Sequence, residues 1–182
     1  MDKNGNFVSQ QNITSGVPSD LESTVIDLLT DDIFQPQNKD ELLTAVDLWI
    51  NDNEIAMETY GQIDNWDVSM ITDMSHLFSG RTTFDEDLAN WNVSNVTTMY
   101  QMFNNADNFN QDISNWDVSN VTAMGAMFYN NSLFNGDLSN WDITNVTDFS
   151  SMFDGTSPVS YTHLDAADEE DSVDLGGRRI IK

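Results

Sequence analysis

Carboxylates that recur in register are the residues of this sequence best placed to do chemistry. Asp87, Asp112 and Asp137 stand 25 residues apart, and Asp67, Asp117 and Asp142 hold most of a second column with the same period. Between residues 60 and 156 there are 13 acidic residues and one basic residue, Arg81. If successive repeats hold such groups about 5 Å apart, each neighbouring pair repels by roughly 1 kcal/mol even in water. Two arrangements offset that. Hard oxygen ligands suit calcium, which would bridge one repeat to the next. Alternatively, the aspartates accept hydrogen bonds from turn amides while salt screens them. The turn reading is preferred and calcium is kept as the alternative, so no residue is assigned as a metal or cofactor ligand. DKNGN at 2–6 opens like a calcium loop, but counting from Asp2 puts Phe7 where the turn glycine belongs and Ile13 where the bidentate glutamate belongs.

Catalytic groups are not assembled by this sequence. His76 and His163 are the only histidines, and they fall in unlike contexts, which indicates neither a metal pair nor a base beside a nucleophile. GxSxG, a phosphate-cradling glycine loop and HExxH are all missing. The expectation is a protein that is not an enzyme and has no catalytic residue. His76 shares its register with Gln101, Ala126 and Ser151 and reads as a solvated helix position. Asparagines form two further columns: Asn65, Asn90, Asn115 and Asn140 precede the tryptophans, and Asn95, Asn120 and Asn145 open NVT words. The NVT and NVS words at Asn92, Asn95, Asn120 and Asn145, with NIT at Asn12, also match the glycosylation acceptor. Regular recurrence at a bend favours amides that satisfy backbone groups repeat after repeat.

Composition narrows the partners. The formal net charge of −25, from 31 acidic against 6 basic residues, repels phosphate backbones, so nucleic-acid binding is not expected. No apolar run approaches the roughly 20 residues of a membrane-spanning helix, and the start MDKNGNFVSQQNITSG has neither the basic start nor the apolar stretch of a signal peptide. With no cysteine there is neither a disulfide framework nor a thiolate zinc site, and the compartment stays open on this ground.

The columns belong to a repeat. Trp66, Trp91, Trp116 and Trp141 are 25 residues apart without insertion, and apolar columns run with them. Ile63, Leu88, Ile113 and Leu138 form one, and Val68, Val93, Val118 and Ile143 another. Ile71, Val96, Val121 and Val146 follow, then Met74, Met99, Met124 and Phe149. Leu77, Met102, Met127 and Met152 come next, then Phe78, Phe103, Phe128 and Phe153, and finally Phe84, Phe109 and Phe134. A period of 25 falls in the range of coils built from a short strand and a helix. Val121, Met124, Met127 and Phe128 stand at i, i+3, i+6 and i+7, which predicts a short helix capped by Ser119 or Asn120. The preceding DISNWDVS, partly alternating, suits a short strand and bend, with parallel strands about 4.8 Å apart in adjacent coils. The apolar columns are read as the interior.

Flanking segments complete the map. Residues 1–18 read as a flexible lead, and 19–33 as a short helix from the spacing of Leu21, Val25, Leu28 and Leu29. Residues 34–59 carry an N-terminal capping helix: Asn38 caps it, Glu41 completes a capping box, and Leu42, Leu43, Val46, Trp49 and Ile50 make one face to cover the open end of the array at 60–156. An independent partner-binding helix is the other reading of that face. Residues 157–182 read as a disordered, acidic tail of non-native origin, because the register fails after Gly155 and PVSYTHLD resembles a translated assembly scar; a genuine tail is the alternative. If the array lost its successor there, the fourth coil exposes Phe149 and Met152.

The words NWDVSNVTAMGAMF and FNQDISNWDVSNVT resemble the bacterial surface protein repeat of BspA-like leucine-rich-repeat proteins, a family also called DUF285 and found in mycoplasma lipoproteins. FQPQNKDELLTAVDLWI followed by YGQIDNWDVS is similar to the segment that precedes such arrays, so the resemblance covers residues 34–156. Met70 stands where the motif has Asn, Asn92 where it has Asp, and Phe149 where it has Met. The resemblance implies an α/β repeat solenoid, leucine-rich-repeat-like, of four coils, each a short strand plus a short helix. It also implies a non-enzymatic module at the cell surface or outside the cell, taking a protein or glycan ligand in an adhesion-like role. A structural spacer with no specific ligand is the alternative. An ice-binding role lacks a regular threonine pair on a flat strand. Oligomeric state is left open.

Overall fold

A computed structural model describes residues 33–156. The expected lead, most of the 19–33 helix, the DKNGN word, Asn12, His163 and the 157–182 tail lie outside the described residues.

The chain enters through a helix that the sequence specifies strongly. Helix α1, Lys39–Asn51, begins at Asn38, whose side chain accepts the Glu41 N–H at 3.0 Å. The Glu41 carboxylate reaches back to the Gln37 N–H at 2.9 Å and the Asn38 amide at 2.8 Å, a capping box displaced by one residue. Leu42, Ala45, Val46 and Trp49 are buried at helical spacing. Asp52 interrupts the helix, and its side chain accepts the Ile55 N–H at 3.2 Å to cap α2, Asn53–Tyr60. Helix α2 stops at Gly61, with φ of 71°, a conformation in which glycine meets no Cβ penalty.

Helix α1 packs on the first coil. Trp49 meets Trp66 edge-on with ring centroids 5.9 Å apart, and Phe34 and Tyr60 close on the same indole at 5.3 and 6.0 Å. The Asp67 N–H donates to the Phe34 carbonyl at 3.0 Å. Lys39 pairs with Asp73 at 3.0 Å and Arg81 pairs with Asp47. These are the two basic side chains of the described residues, and both join α1 to the first coil.

The expected α/β solenoid, leucine-rich-repeat-like with a strand and a helix in each coil, is not what forms. Beyond α1, α2 and a single 3-10 turn at Ile63–Asn65, the described residues contain no helix and no strand, only isolated parallel bridges linking Asp73 to Thr98, Thr98 to Ala123 and Ala123 to Asp148. The segment read as a helix shows why. In an α-helix the Met102 N–H would donate to the Thr98 carbonyl. Here the Thr98 carbonyl accepts from Met74 of the preceding coil at 3.0 Å, and Met102 donates to Met99 at 3.1 Å. Met99, Gln101, Phe103 and Asn105 donate to Ala123, Gly125, Met127 and Tyr129 of the next coil at 2.8 to 2.9 Å. The carbonyls of Tyr100, Met102 and Asn104 accept from His76, Phe78 and Gly80 in turn. Backbone groups left over are closed by turns such as Asn104 to Gln101 and Ala106 to Phe103. This segment therefore satisfies its polar backbone partly within the coil and partly between coils.

Successive turns reproduce the i, i+3 spacing of buried residues without a helix. The backbone makes them by entering the left-handed region twice per coil. His76, Gln101, Ala126 and Ser151 have φ of 62°, 56°, 52° and 54°, and Gly80, Asn105, Asn130 and Gly155 have φ of 74°, 54°, 54° and 77°. No helix passes through such residues. The DISNWDVS half likewise forms turns, closed by Trp116 to Ile113 at 3.1 Å and Val121 to Val118 at 2.9 Å.

The interior lies where the apolar columns put it. Phe78, Phe103, Phe128 and Phe153 stack with centroids 5.3, 5.6 and 5.7 Å apart and interplanar angles of 7°, 5° and 6°. Phe84, Phe109 and Phe134 form a second stack that touches the first at 4.1, 3.9 and 4.0 Å. Each such pair adds about 0.5–1.5 kcal/mol beyond burial. Each tryptophan N–H of the repeats finds a carbonyl: Trp91 reaches Ile63 at 2.7 Å, Trp116 reaches Leu88 at 3.0 Å and Trp141 reaches Ile113 at 3.1 Å, each on the preceding coil, while Trp66 reaches Gly61 at 3.3 Å. In the fourth coil Ile143, Val146 and Phe149 are half-buried, but Met152 is 1% exposed, against the expectation of an exposed pair. Its sulfur-bearing chain sits in the core, and the Met152 carbonyl accepts from Phe128 at 2.9 Å.

Candidate functional site

Aspartates in both columns are turn-makers. Asp67, Asp117 and Asp142 accept the N–H two residues on, from Ser69, Ser119 and Thr144, at 3.0, 3.1 and 3.1 Å. Asp87, Asp112 and Asp137 do the same for Ala89, Ser114 and Ser139 at 2.9, 3.0 and 3.0 Å. These are Asx turns, and Asn92 makes the same bond to Ser94 at 3.2 Å. At Asp67, Asp112, Asp117 and Asp142 such bonds lower the pKa. For Asp117 the Ser119 hydroxyl and then its N–H lower the pKa, opposed by burial and by the charge of Asp142. Hydroxyl and then amide donors of Ser69, Ser114 and Thr144 lower Asp67, Asp112 and Asp142. At Asp73, burial raises the value, but the Ser75 hydroxyl and amide and the Lys39 cation together bring it down. Among the described residues no three histidines, aspartates or glutamates converge as a metal site. The turn reading is the geometry observed.

Asparagines of the NVT words clamp one coil to the last. The side-chain amides of Asn95, Asn120 and Asn145 donate to the carbonyls of Ser69, Ser94 and Ser119, each at 2.8 Å. Asn92 is thus the NVS or NVT asparagine of coils 2–4 whose amide is not used as such a clamp. Met70 occupies this column in the first coil, which has a helix rather than a coil before it, and is 53% exposed. Beside the asparagines, Thr97, Thr122 and Thr147 donate both N–H and hydroxyl to the carbonyl of the threonine 25 residues earlier, at 2.8 and 3.1 Å. Asn65, Asn90, Asn115 and Asn140 are exposed.

Positions that differ from coil to coil divide by depth. Asn104 and Ala106 are buried, so part of the variable 104–107 segment is interior. Positions 98, 100 and 101, with their equivalents, run along one edge of the ladder, exposed or half-buried except at Gly125 and Ala126. His76 there is exposed, as expected, but on a left-handed turn rather than a helix; its ring meets Tyr100 edge-on at 5.5 Å. Gln101 donates to the Tyr100 hydroxyl at 3.2 Å, and Tyr100 is 37% exposed. The left-handed turns went unread in the sequence, although the Gly80, Asn105, Asn130, Gly155 column holds the two residue types that tolerate them best. Two buried polar atoms of successive coils, Asn131 Nδ2 and Asp154 Oδ1, have no hydrogen-bond partner among the described residues.

No helix of the described residues is long and apolar enough to cross a membrane. No curated protein and no solved structure matches the chain. Residues 50–165 match the family described as "Mycoplasma protein of unknown function, DUF285", which takes in α2, all four coils and the repeat words that carried the resemblance, but not the segment FQPQNKDELLTAVDLW before residue 50. The chain belongs to the DUF285 family.

Proposed function

We propose that this chain is a non-enzymatic interaction module, displayed on or released from a cell, that binds a protein or glycan through the exposed edge of its coils. The observation that carries this reading is the separation of constant from variable positions. The buried columns repeat their residue types in four coils, whereas Asp73, Thr98, Ala123 and Asp148, and Ser75, Tyr100, Gly125 and Ser150, change at each step on one edge. A spacer with no ligand needs the first pattern only. Neighbouring histidine, serine and aspartate on this edge serve turns and ring contacts, which supports a role in recognition rather than catalysis. The test is a screen of the purified chain against an immobilised glycan array and a panel of purified extracellular-matrix proteins. Saturable binding to one of them is expected, and silence across both panels would favour the spacer.

A further inference from the structure

We infer that the middle of this edge, on coils 2 and 3, is a site for a neutral linear glycan; the inference rests on the interaction-module reading and names its ligand class. Charge is the first observation. In a chain of net charge −25, residues 88–106 and 118–136 contain no charged side chain, while the same column carries Asp73 on coil 1 and Asp148 on coil 4. An anionic polymer finds no cation on this patch and is repelled by the whole molecule. A cationic partner would be drawn to the exposed Asp87, Asp112 and Asp137 column instead.

Hydrogen-bond polarity is the second. The Asn95 and Asn120 amides and the Thr97 and Thr122 hydroxyls already donate to carbonyls of the preceding coil. Their oxygens keep acceptor capacity on exposed side chains, which suits a ligand rich in O–H donors. Aromatic surface is the third. The exposed Tyr100 ring is braced by His76 and Gln101, so it offers a plate of fixed orientation for the apolar face of a pyranose. In the next coil its column holds Gly125, where an added Cβ would lie 2.7 Å from Asp148 Oδ2. Gly125 is buried with the Asp148 carboxylate against it, so the coil 4 end of the patch adds an acceptor for O–H donors and no cation. The ladder repeats about every 4.8 Å along the stack, so successive sugar residues of an extended chain meet successive coils.

The experiment measures retention of the chain on insoluble cellulose, chitin and β-1,3-glucan, with polygalacturonate as the anionic comparison, and then calorimetry on soluble oligosaccharides of any that bind. Retention on a neutral glycan but not on polygalacturonate is expected. Tyr100→Ala should weaken binding about tenfold or more, and Tyr100→Phe, which keeps the ring, by no more than about threefold. Thr122→Arg, which sets bulk on the patch, should abolish it, and Leu133→Ala, outside the patch, should leave it unchanged. Thermal melts show which variants fold. Retention on no neutral glycan, equal retention on polygalacturonate, or undiminished binding by a folded Tyr100→Ala or Thr122→Arg variant would overturn the inference. Saturable binding to a matrix protein without any glycan would overturn it too, while leaving the interaction-module reading standing.

Discussion

Asn92 is a natural substitution inside an aspartate column, and it keeps the Asx bond with half the acceptor oxygens and no charge. Asp117→Asn should therefore fold normally, and by removing the repulsion with Asp142 it should raise the melting midpoint at low ionic strength. Acid has the opposite effect on the unaltered chain. Asp67, Asp112, Asp117 and Asp142 have folded pKa values below their ordinary 3.8. Their stabilisation is complete above that pH and is lost as pH falls through the lower folded values. Melting midpoints measured from pH 5 down to pH 2 should fall below about pH 4, and less steeply in Asp117→Asn. At the same scale Ala126 sits at φ of 52°, a conformation that disfavours a Cβ by about 1–2 kcal/mol. Ala126→Gly should stabilise the fold by about 1 kcal/mol in a denaturant titration.

Elements here are turns stacked between coils, so a core residue supports its neighbours above and below. Phe128 touches Phe103, Phe134 and Phe153. Phe128→Ala should cost about 3–5 kcal/mol, a large part of the roughly 5–15 kcal/mol of a whole domain, and the variant should unfold at much lower urea. Helix α1 was legible in the sequence because capping and apolar period agreed over Asn38–Trp49, and both signals are local. Asn38→Ala should cost about 1 kcal/mol through the lost Glu41 bond. The turn ladder was not legible. Met99, Met102 and Phe103 carry the same spacing whether they belong to a helix or to consecutive turns, and what separates the two is where the N–H groups of neighbouring coils donate.

Across the whole molecule, charge sets the response to ions. Exposed carboxylates repeated up the stack repel at long range, so raising monovalent salt should raise the melting midpoint. Each column aspartate spends one carboxylate oxygen on a turn amide, and among the described residues none meets two further acidic or histidine ligands. Calcium at matched ionic strength should therefore add nothing beyond the salt effect; a midpoint that rises with calcium and returns with chelator would revive the bridging idea.

What the sequence determined by itself was register and interior. A period of 25 places each apolar column in the interior, because burial depends on side-chain type, and only Ile143, Val146 and Phe149 of the fourth coil are half-buried where their column mates are fully buried. It also determined the family, the capping helix and the turn chemistry of Asp and Asn, all of which are local. Only the tertiary structure decided that coils are joined by donors from Met99, Gln101, Phe103 and Asn105 to the next coil, that Gln101 and Asn105 turn left-handed to allow it, and that Tyr100 stands exposed beside Gly125. Those features depend on contacts between residues 25 apart, and a hydrogen bond from one coil to the next leaves no mark on the spacing within either.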